Sequence, residues 1–140
     1  MKMTILTPLF AMIALCILGC CPSPKTSDLP KPIKTGEDLN HAAKLCVRAG
    51  DGTSTPYDDS SRSLFEFYQA MGYFNGFRDM TIVSQAFKAK TPYVFQKDLE
   101  TTQLIRIVDK YLSAHPEKFQ QPAAVIMVDA LTEAYPNKSY

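Results

Sequence analysis

A nucleophilic catalytic site needs a thiol or hydroxyl beside a base, and histidines, the usual bases, are few in this sequence. The sequence has two histidines, His41 and His115. His41 and Cys46 are five residues apart in a predicted helix, which places them about 140° apart around its axis, so they do not face each other. Cys46 also falls on the apolar face of that helix, and His115 precedes a proline expected to lie beyond a helix end. The spacing argues against a Cys/His nucleophilic site, and we assign no catalytic residue.

Metal and phosphate sites are disfavoured for similar reasons. Cys20 and Cys21 are adjacent near the start of the chain, and with Cys46 they offer no ligand spacing. One polar loop holds three acids, at positions 51, 58 and 59, but it lacks the alternating oxygen ligands and the closing glutamate of a calcium-binding loop. Glycine-rich phosphate loops are missing. The residue types predict a binding protein with no cofactor and no metal.

The charge balance excludes nucleic acid as a partner. The chain has 15 Lys and Arg residues and 14 Asp and Glu residues, and without Lys2 the two sets are equal in number. Binding to phosphates rests on clustered Lys and Arg side chains, and the sequence contains no such block.

The first 19 residues have the pattern of an export signal. Lys2 is followed by an uncharged apolar run that contains Pro8 and is shorter than the roughly 20 apolar residues of a membrane-spanning helix. Residues 17–20, Ile-Leu-Gly-Cys, resemble a bacterial lipobox, whose cysteine is lipidated and becomes the new N-terminus after cleavage. We expect residues 1–19 to be a lipoprotein-type signal peptide and Cys20 to anchor the protein in a membrane, facing the periplasm. Simple secretion into the periplasm and an uncleaved anchor are the alternatives.

Residues 20–34 are expected to be a tether between the anchor and a single domain at residues 35–140. Four prolines fall within residues 22–33, and such segments are extended in part as polyproline II, giving a reach of about 40 Å.

Helical periodicity fills the domain and predicts an all-α fold. Thr35 and Asp38 fit a capping box that starts a first helix, which Gly50 ends. Ser63 and Glu66 fit another, which starts a second helix that runs to about Lys88. Apolar residues at helical spacing predict a third helix before Pro116 and a fourth between Pro122 and Pro136. No β alternation of useful length occurs, so we expect one small domain of four main helices.

The second helix has two apolar stripes, which predicts that it is the central one. Leu64, Phe67, Tyr68, Met71 and Phe74 form the first stripe, and Phe65, Gly72, Gly76 and Val83 form the second. We expect the glycines to leave a shallow groove into which a neighbouring backbone packs, so that Gly76→Leu overpacks the domain. A ligand cleft is the less favoured interpretation.

The connection at residues 90–97 is the predicted partner-binding segment. Pro92 disfavours helical geometry before it, and a surface loop with two aromatic residues is a typical contact site. The candidate contacts are Tyr93, Phe95 and Lys97. The alternative is that both rings pack under the domain.

Three motifs occur in order along the domain. Residues 72–79, Gly-Tyr-Phe-Asn-Gly-Phe-Arg-Asp, are similar to a G-Y-x-x-G-x-x-D pattern. Gln103-Leu104 is followed by residues 110–117, Lys-Tyr-Leu-Ser-Ala-His-Pro-Glu, and Pro122-Ala123-Ala124 by residues 130–136, Ala-Leu-Thr-Glu-Ala-Tyr-Pro. From Gly36 to Pro136 the chain thereby resembles the Rap/Tai family, immunity proteins that protect bacteria from amidase toxins delivered by type VI secretion. The motif positions, expected to be structural, are Gly72, Tyr73, Gly76, Asp79, Tyr111, Leu112, His115, Pro116 and Pro136.

The resemblance implies a function and a partner. Members of the family are exported, all-helical and often dimeric, and they cover the active site of a Cys/His amidase so that it cannot cut peptidoglycan stem peptides. The resemblance therefore implies that the partner is an amidase, and it allows a homodimer. The family usually has cysteines where this chain has Ala70 and Asn137, which leaves Cys46 without an evident disulfide partner. The alternative function is that of an envelope lipoprotein using the fold as a structural or adaptor module.

Overall fold

A computed structural model describes residues 30–53, 61–96 and 98–139, so the predicted signal peptide and the predicted lipidation site Cys20 lie outside the described residues. Four α-helices form within these ranges, together with a short 3₁₀ helix at Pro116–Lys118. They are α1 (Gly36–Gly50), α2 (Ser61–Ala86), α3 (Thr101–Ala114) and α4 (Ala123–Ala134). The described ranges contain no strand, only two isolated bridges, Thr35 with Pro122 and Tyr93 with Pro136. The predicted all-α domain of four main helices is confirmed.

The start of α1 is held by a capping box and by backbone from the other end of the domain. Thr35 is the N-cap, and its hydroxyl accepts a hydrogen bond from the Asp38 N–H while the Asp38 carboxylate accepts one from the Thr35 N–H, as predicted. The N–H groups of Gly36 and Glu37 donate to the carbonyls of Gln121 and Phe119, at 2.9 and 3.0 Å. N–H groups in the first turn of a helix have no hydrogen-bond acceptor within that helix. The segment before α4 supplies acceptors for two of them and so stabilises the start of α1.

The domain is built around α3 and not around the glycine-containing helix. α3 packs against α1, α2 and α4, and its buried face runs along the whole helix. That face consists of Leu104, Ile105, Val108, Tyr111 and Leu112. The central position predicted for α2 is therefore wrong.

Only one face of α2 is packed. Ala70, Phe74 and Phe77 are buried in the core. Around Gly72 and Gly76, by contrast, no described atom beyond the adjacent helix backbone lies within 4 Å of the position that a Cβ would take. No neighbouring backbone fills the predicted groove, and the expected overpacking by Gly76→Leu has no structural basis within the described domain. α2 also begins at Ser61, two residues before the predicted Ser63 cap.

The chain contacts the domain before α1 begins. Ile33 packs against the core, the Lys34 carbonyl accepts a hydrogen bond from the Ala123 N–H, and the Gln69 amide donates to the Lys31 carbonyl. The Lys31 ammonium lies 2.7 Å from an Asp38 carboxylate oxygen. Residues 31–34, predicted as part of the tether, thus lie against the helices.

Among the residues described, none of the helices combines the length and the apolar character needed to cross a membrane.

Candidate protein-binding surface

The Cys46 thiol lies in an apolar environment without a base. It lines an open pocket of about 400 Å³ between α1, α2 and α3, together with apolar side chains such as Phe67, Met71 and Ile105. Burial raises the pKa of the Cys46 thiol to about 11, so the thiol is protonated at neutral pH. Among the described residues, no histidine or carboxylate lines this pocket. Cys46 is a core residue here and is not an activated nucleophile.

The two histidines have other partners. His41 is exposed and lies 3.7 Å from a Glu66 carboxylate oxygen. The His115 ring packs on Tyr111 with ring centroids 4.5 Å apart, and its two nitrogens lie 3.2 Å from Glu117 and Glu133. His115 thereby joins the end of α3 to the 3₁₀ helix and to α4. Across the residues that the structure describes, no group of three or more His, Cys, Asp or Glu side chains could hold a metal ion.

The predicted partner-binding loop turns its aromatic rings inward. Tyr93 and Phe95 are only 5% and 4% exposed, and burial raises the pKa of the Tyr93 hydroxyl. The Val94 N–H donates to the Tyr135 carbonyl and the Asn137 N–H to the Pro92 carbonyl, so the loop is fastened to the end of the chain. The alternative interpretation, with both rings packed under the domain, is the one observed, and their proposed role as exposed contacts is corrected. Lys97 lies outside the described residues.

The motif residues fall into a buried and an exposed set. Tyr111 and Leu112 are buried, Tyr73 is half-buried, Pro116 begins the 3₁₀ helix, and Pro136 pairs with Tyr93. By contrast, Gly72, Gly76 and Asp79 are exposed on α2. The packing explanation therefore fits the buried set and does not account for the exposed residues of α2.

Several large apolar side chains lie on the exposed side of α2. Its ends are strongly exposed, with Phe65 at 61% and Val83 at 53%, and monomeric soluble proteins rarely leave such a run uncovered. We call this surface the glycine stripe, and it consists of Phe65, Tyr68, Gly72, Gly76, Met80 and Val83.

Beyond the glycine stripe, α2 ends in a projecting tip, residues 87–90. Phe87 is 82% exposed, the highest value among the large hydrophobic residues described. The Ala89 N–H donates to the Ser84 carbonyl and the Lys88 N–H to the Gln85 carbonyl, which is the Schellman pattern for ending a helix. Lys88 has the left-handed φ of 53° that this pattern requires at a position where glycine is usual.

A hydrogen bond to the connection at residues 90–97 fixes the last turn of α2 before the tip, and the cationic side chains of the tip face solvent. The Gln85 side-chain amide donates to the Phe95 carbonyl at 3.0 Å, which ties the last turn of α2 to the buried connection. Lys88 and Lys90 are both exposed beside Phe87. The tip thus presents one large apolar ring and two positive charges on a backbone fixed by hydrogen bonds.

Exposed apolar side chains along α2 and at its tip are typical of a small domain that binds another protein. The family model described as Rap1a immunity proteins matches residues 35–137, and the chain belongs to that family. The members of this family are inhibitors and not enzymes, and the partner of an immunity protein is a secreted toxin effector. None of the curated proteins matches the chain significantly.

Sequence reasoning missed the tip. The prediction ran α2 to about Lys88 and placed Phe87 inside it, whereas the helix ends at Ala86. The signal present in the sequence was Phe87 followed by Lys88 and Lys90, an apolar residue outside either predicted stripe and next to two charged ones.

Proposed function

We propose that this protein neutralises a secreted peptidoglycan amidase by covering its active site, and that the tip is the element that enters the cleft. The family match over residues 35–137 carries the proposal of immunity, because it makes a toxin the partner. Type VI delivery and amidase activity of that toxin come from the resemblance of residues 72–79, 110–117 and 130–136 to Rap/Tai proteins.

The tip suits occlusion of a concave site. Phe87 projects from the end of a 26-residue helix, and aromatic side chains that fill a partner's pocket dominate binding energy in many interfaces. Its backbone is already ordered by the Schellman hydrogen bonds, so little conformational entropy is lost on binding. Lys88 and Lys90 would steer the tip towards an acidic rim.

The same proposal places the protein on the periplasmic side of a membrane. Residues 1–19 would direct export, and lipid on Cys20 would hold the domain in the compartment that contains peptidoglycan. Labelling cells with a radioactive fatty acid tests this step. We expect label on the unaltered chain and none on Cys20→Ala, and label on both would contradict lipidation at this residue.

Titration against an amidase tests occlusion. The probe is the Cys/His peptidoglycan amidase encoded beside this chain, mixed with the full chain in mild detergent, with stem-peptide release as the readout. We expect binding in the nanomolar range with loss of cleavage. Phe87→Ala should weaken binding at least tenfold, which corresponds to about 1.4 kcal/mol or more.

The matched control is Val125→Ala, which truncates an exposed apolar side chain on α4, away from the tip. It should leave affinity unchanged. Binding without loss of cleavage would contradict occlusion, and equal losses from both substitutions would contradict the assignment to the tip. If the amidase does not bind at all, the alternative role as an envelope adaptor becomes the better one.

A further inference from the structure

The pocket beside Cys46 has the size and the lining of a small-molecule site. It lies where the last turns of α1 meet the first half of α2 and the start of α3, and its volume is about 400 Å³. Small-molecule pockets usually measure about 300–1,000 Å³ and have mostly apolar walls. We call this cavity the Cys46 pocket, and its described apolar side chains are Cys46, Val47, Ala49, Phe67, Met71 and Ile105.

Arg106 gives the Cys46 pocket a positive charge at its mouth. Of the described residues that line the pocket, Arg106 is the one with a charged side chain, and that side chain is exposed to solvent. Its Nη2 lies 2.6 Å from an Asp51 carboxylate oxygen, which fixes the position of the guanidinium. A guanidinium has five N–H donors, so the groups on its other two nitrogens can donate to a ligand.

The acidic groups near the mouth have donors of their own. Asp51 is bonded to Arg106, and the Glu100 carboxylate accepts a hydrogen bond from the Thr102 hydroxyl at 3.3 Å. Neither acid lines the pocket, and the protonated Cys46 thiol adds no negative charge inside it. Arg106 is therefore the charge that a ligand inside the described part of the pocket would contact.

We propose that the Cys46 pocket binds a fatty acid of medium chain length, with the chain among the apolar side chains and the carboxylate on Arg106. Removal of the methylene groups from water would supply most of the affinity. The pairing of carboxylate and guanidinium would fix the orientation of the ligand. A ligand with a cationic head would instead bring two positive charges together at Arg106.

The proposed ligand site is separate from the tip. Met71 lies 15 residues before the end of α2 at Ala86, which is about 23 Å along the helix. A fatty acid in the Cys46 pocket would not contact Phe87. The inference therefore rests on the pocket alone and does not depend on the proposed inhibition of an amidase.

Protection of the Cys46 thiol tests whether the ligand enters the pocket. The full chain with Cys16, Cys20 and Cys21 changed to Ser is placed in phosphatidylcholine nanodiscs, which leaves Cys46 as the single thiol. Alkylation by iodoacetamide at a fixed pH is followed by mass spectrometry. We expect saturating octanoate to slow alkylation at least tenfold, and acetate, which has the carboxylate without the chain, to leave the rate unchanged.

Substitution of Arg106 tests recognition of the carboxylate. The affinity for octanoate carrying ¹³C at its carboxyl carbon is measured by NMR titration, and octanol is compared through its protection of Cys46. Arg106→Gln should raise the octanoate dissociation constant at least tenfold and leave protection by octanol unchanged. The matched control is Lys110→Gln, which removes an exposed cation one turn further along α3, outside the pocket lining, and should leave both unchanged.

Asp51→Asn separates ligand contact from structural support. It weakens the ion pair with Arg106 but keeps the guanidinium, so octanoate should bind no more weakly than to the unaltered side chains. If Asp51→Asn weakens octanoate as much as Arg106→Gln does, Arg106 acts through the ion pair and the proposal is overturned. Failure of octanoate to protect Cys46, or equal octanoate affinity with and without Arg106, would also overturn it.

Discussion

Gly36 and Gly76 are both helical glycines of this domain, yet their surroundings are opposite. A Cβ on Gly36 would collide with the Ile126 side chain and come within 2.9 Å of the Lys118 carbonyl oxygen and the Phe119 Cα. A Cβ on Gly76 would meet nothing within 4 Å. Glycine is needed at Gly36 because the backbone before α4 crosses the first turn of α1, whereas at Gly76 the domain itself imposes no such requirement.

The comparison shows where close backbone packing holds this fold together. Because Gly36 has no side chain, the segment before α4 lies close enough for the Gly36 and Glu37 N–H groups to donate to the carbonyls of Gln121 and Phe119. The missing side chain and the hydrogen bonds therefore act together at the junction between α1 and this segment. At Gly76 small size serves no contact inside the domain. A motif glycine can thus reflect an exposed surface, and a glycine outside the motif can be the one that packing demands.

The largest effect is expected from Gly36→Ala, which should lower the free energy of unfolding by about 3 kcal/mol. Two of the three atoms that the methyl group meets belong to backbone, which cannot move aside without breaking the junction with α1. Urea denaturation followed by circular dichroism measures the loss. A midpoint equal to that of the unaltered protein would show that the segment before α4 yields easily.

Asp38→Ala tests the same junction from its polar side and should cost about 2 kcal/mol at neutral pH. The Asp38 carboxylate accepts hydrogen bonds from the Thr35 N–H and hydroxyl and from the Lys34 N–H. The hydrogen bond from the Lys31 ammonium contributes most, and together these bonds hold the pKa of the Asp38 carboxyl well below its usual range. Asp38→Asn should lose less, because its amide oxygen still accepts from backbone.

The pH dependence of the Asp38 effect has a defined sign. Since the folded-state pKa is lowered, the stabilisation is present above the unfolded-state pKa near 4 and is lost as pH falls through the folded-state pKa. The difference in unfolding free energy between the unaltered protein and Asp38→Asn should therefore shrink from about pH 5 downward. A difference that stays constant into acid would show that the charge of Asp38 contributes nothing.

A smaller gain, about 1 kcal/mol, is expected from Lys88→Gly at the far end of α2. Lys88 has a left-handed φ of 53°, which costs an L-residue on the order of 1 kcal/mol more than glycine. Thermal unfolding should show a raised midpoint. Lys90→Gly is the matched control, because it removes a neighbouring exposed lysine at a position without positive φ. A loss of stability in Lys88→Gly would mean that the side chain contributes more than its backbone strain.

The smallest effect should come from Gly76→Ala, which should raise stability by roughly 0.5–1 kcal/mol. Alanine has the higher helix propensity, and its methyl group points into open space. Urea denaturation followed by circular dichroism measures the gain. Destabilisation would contradict the exposed environment of Gly76 and weaken the contrast with Gly36.

Local rules predicted the helices well because their signals lie within a few residues of each other. The Thr35 and Asp38 capping box and the stops at Gly50 and Pro136 could be recognised without any tertiary information. Which face of α2 would be buried could not be recognised in this way, because both stripes are apolar and only packing against α1 and α3 decides between them. The inward turn of Tyr93 and Phe95 likewise depends on pairing with residues some forty positions later.

The junction between residues 34–37 and 119–123 also determines how the domain bears load. Its hydrogen bonds from Gly36, Glu37 and Ala123 run between two backbone segments that are far apart in the chain. A force applied to the chain ahead of Pro30 acts on these hydrogen bonds before it acts on the rest of α1. The force is therefore shared with α4 and does not unfold α1 from its first turn. A domain anchored at its N-terminal end would therefore resist mechanical unfolding through a junction that involves both the first and the last helix.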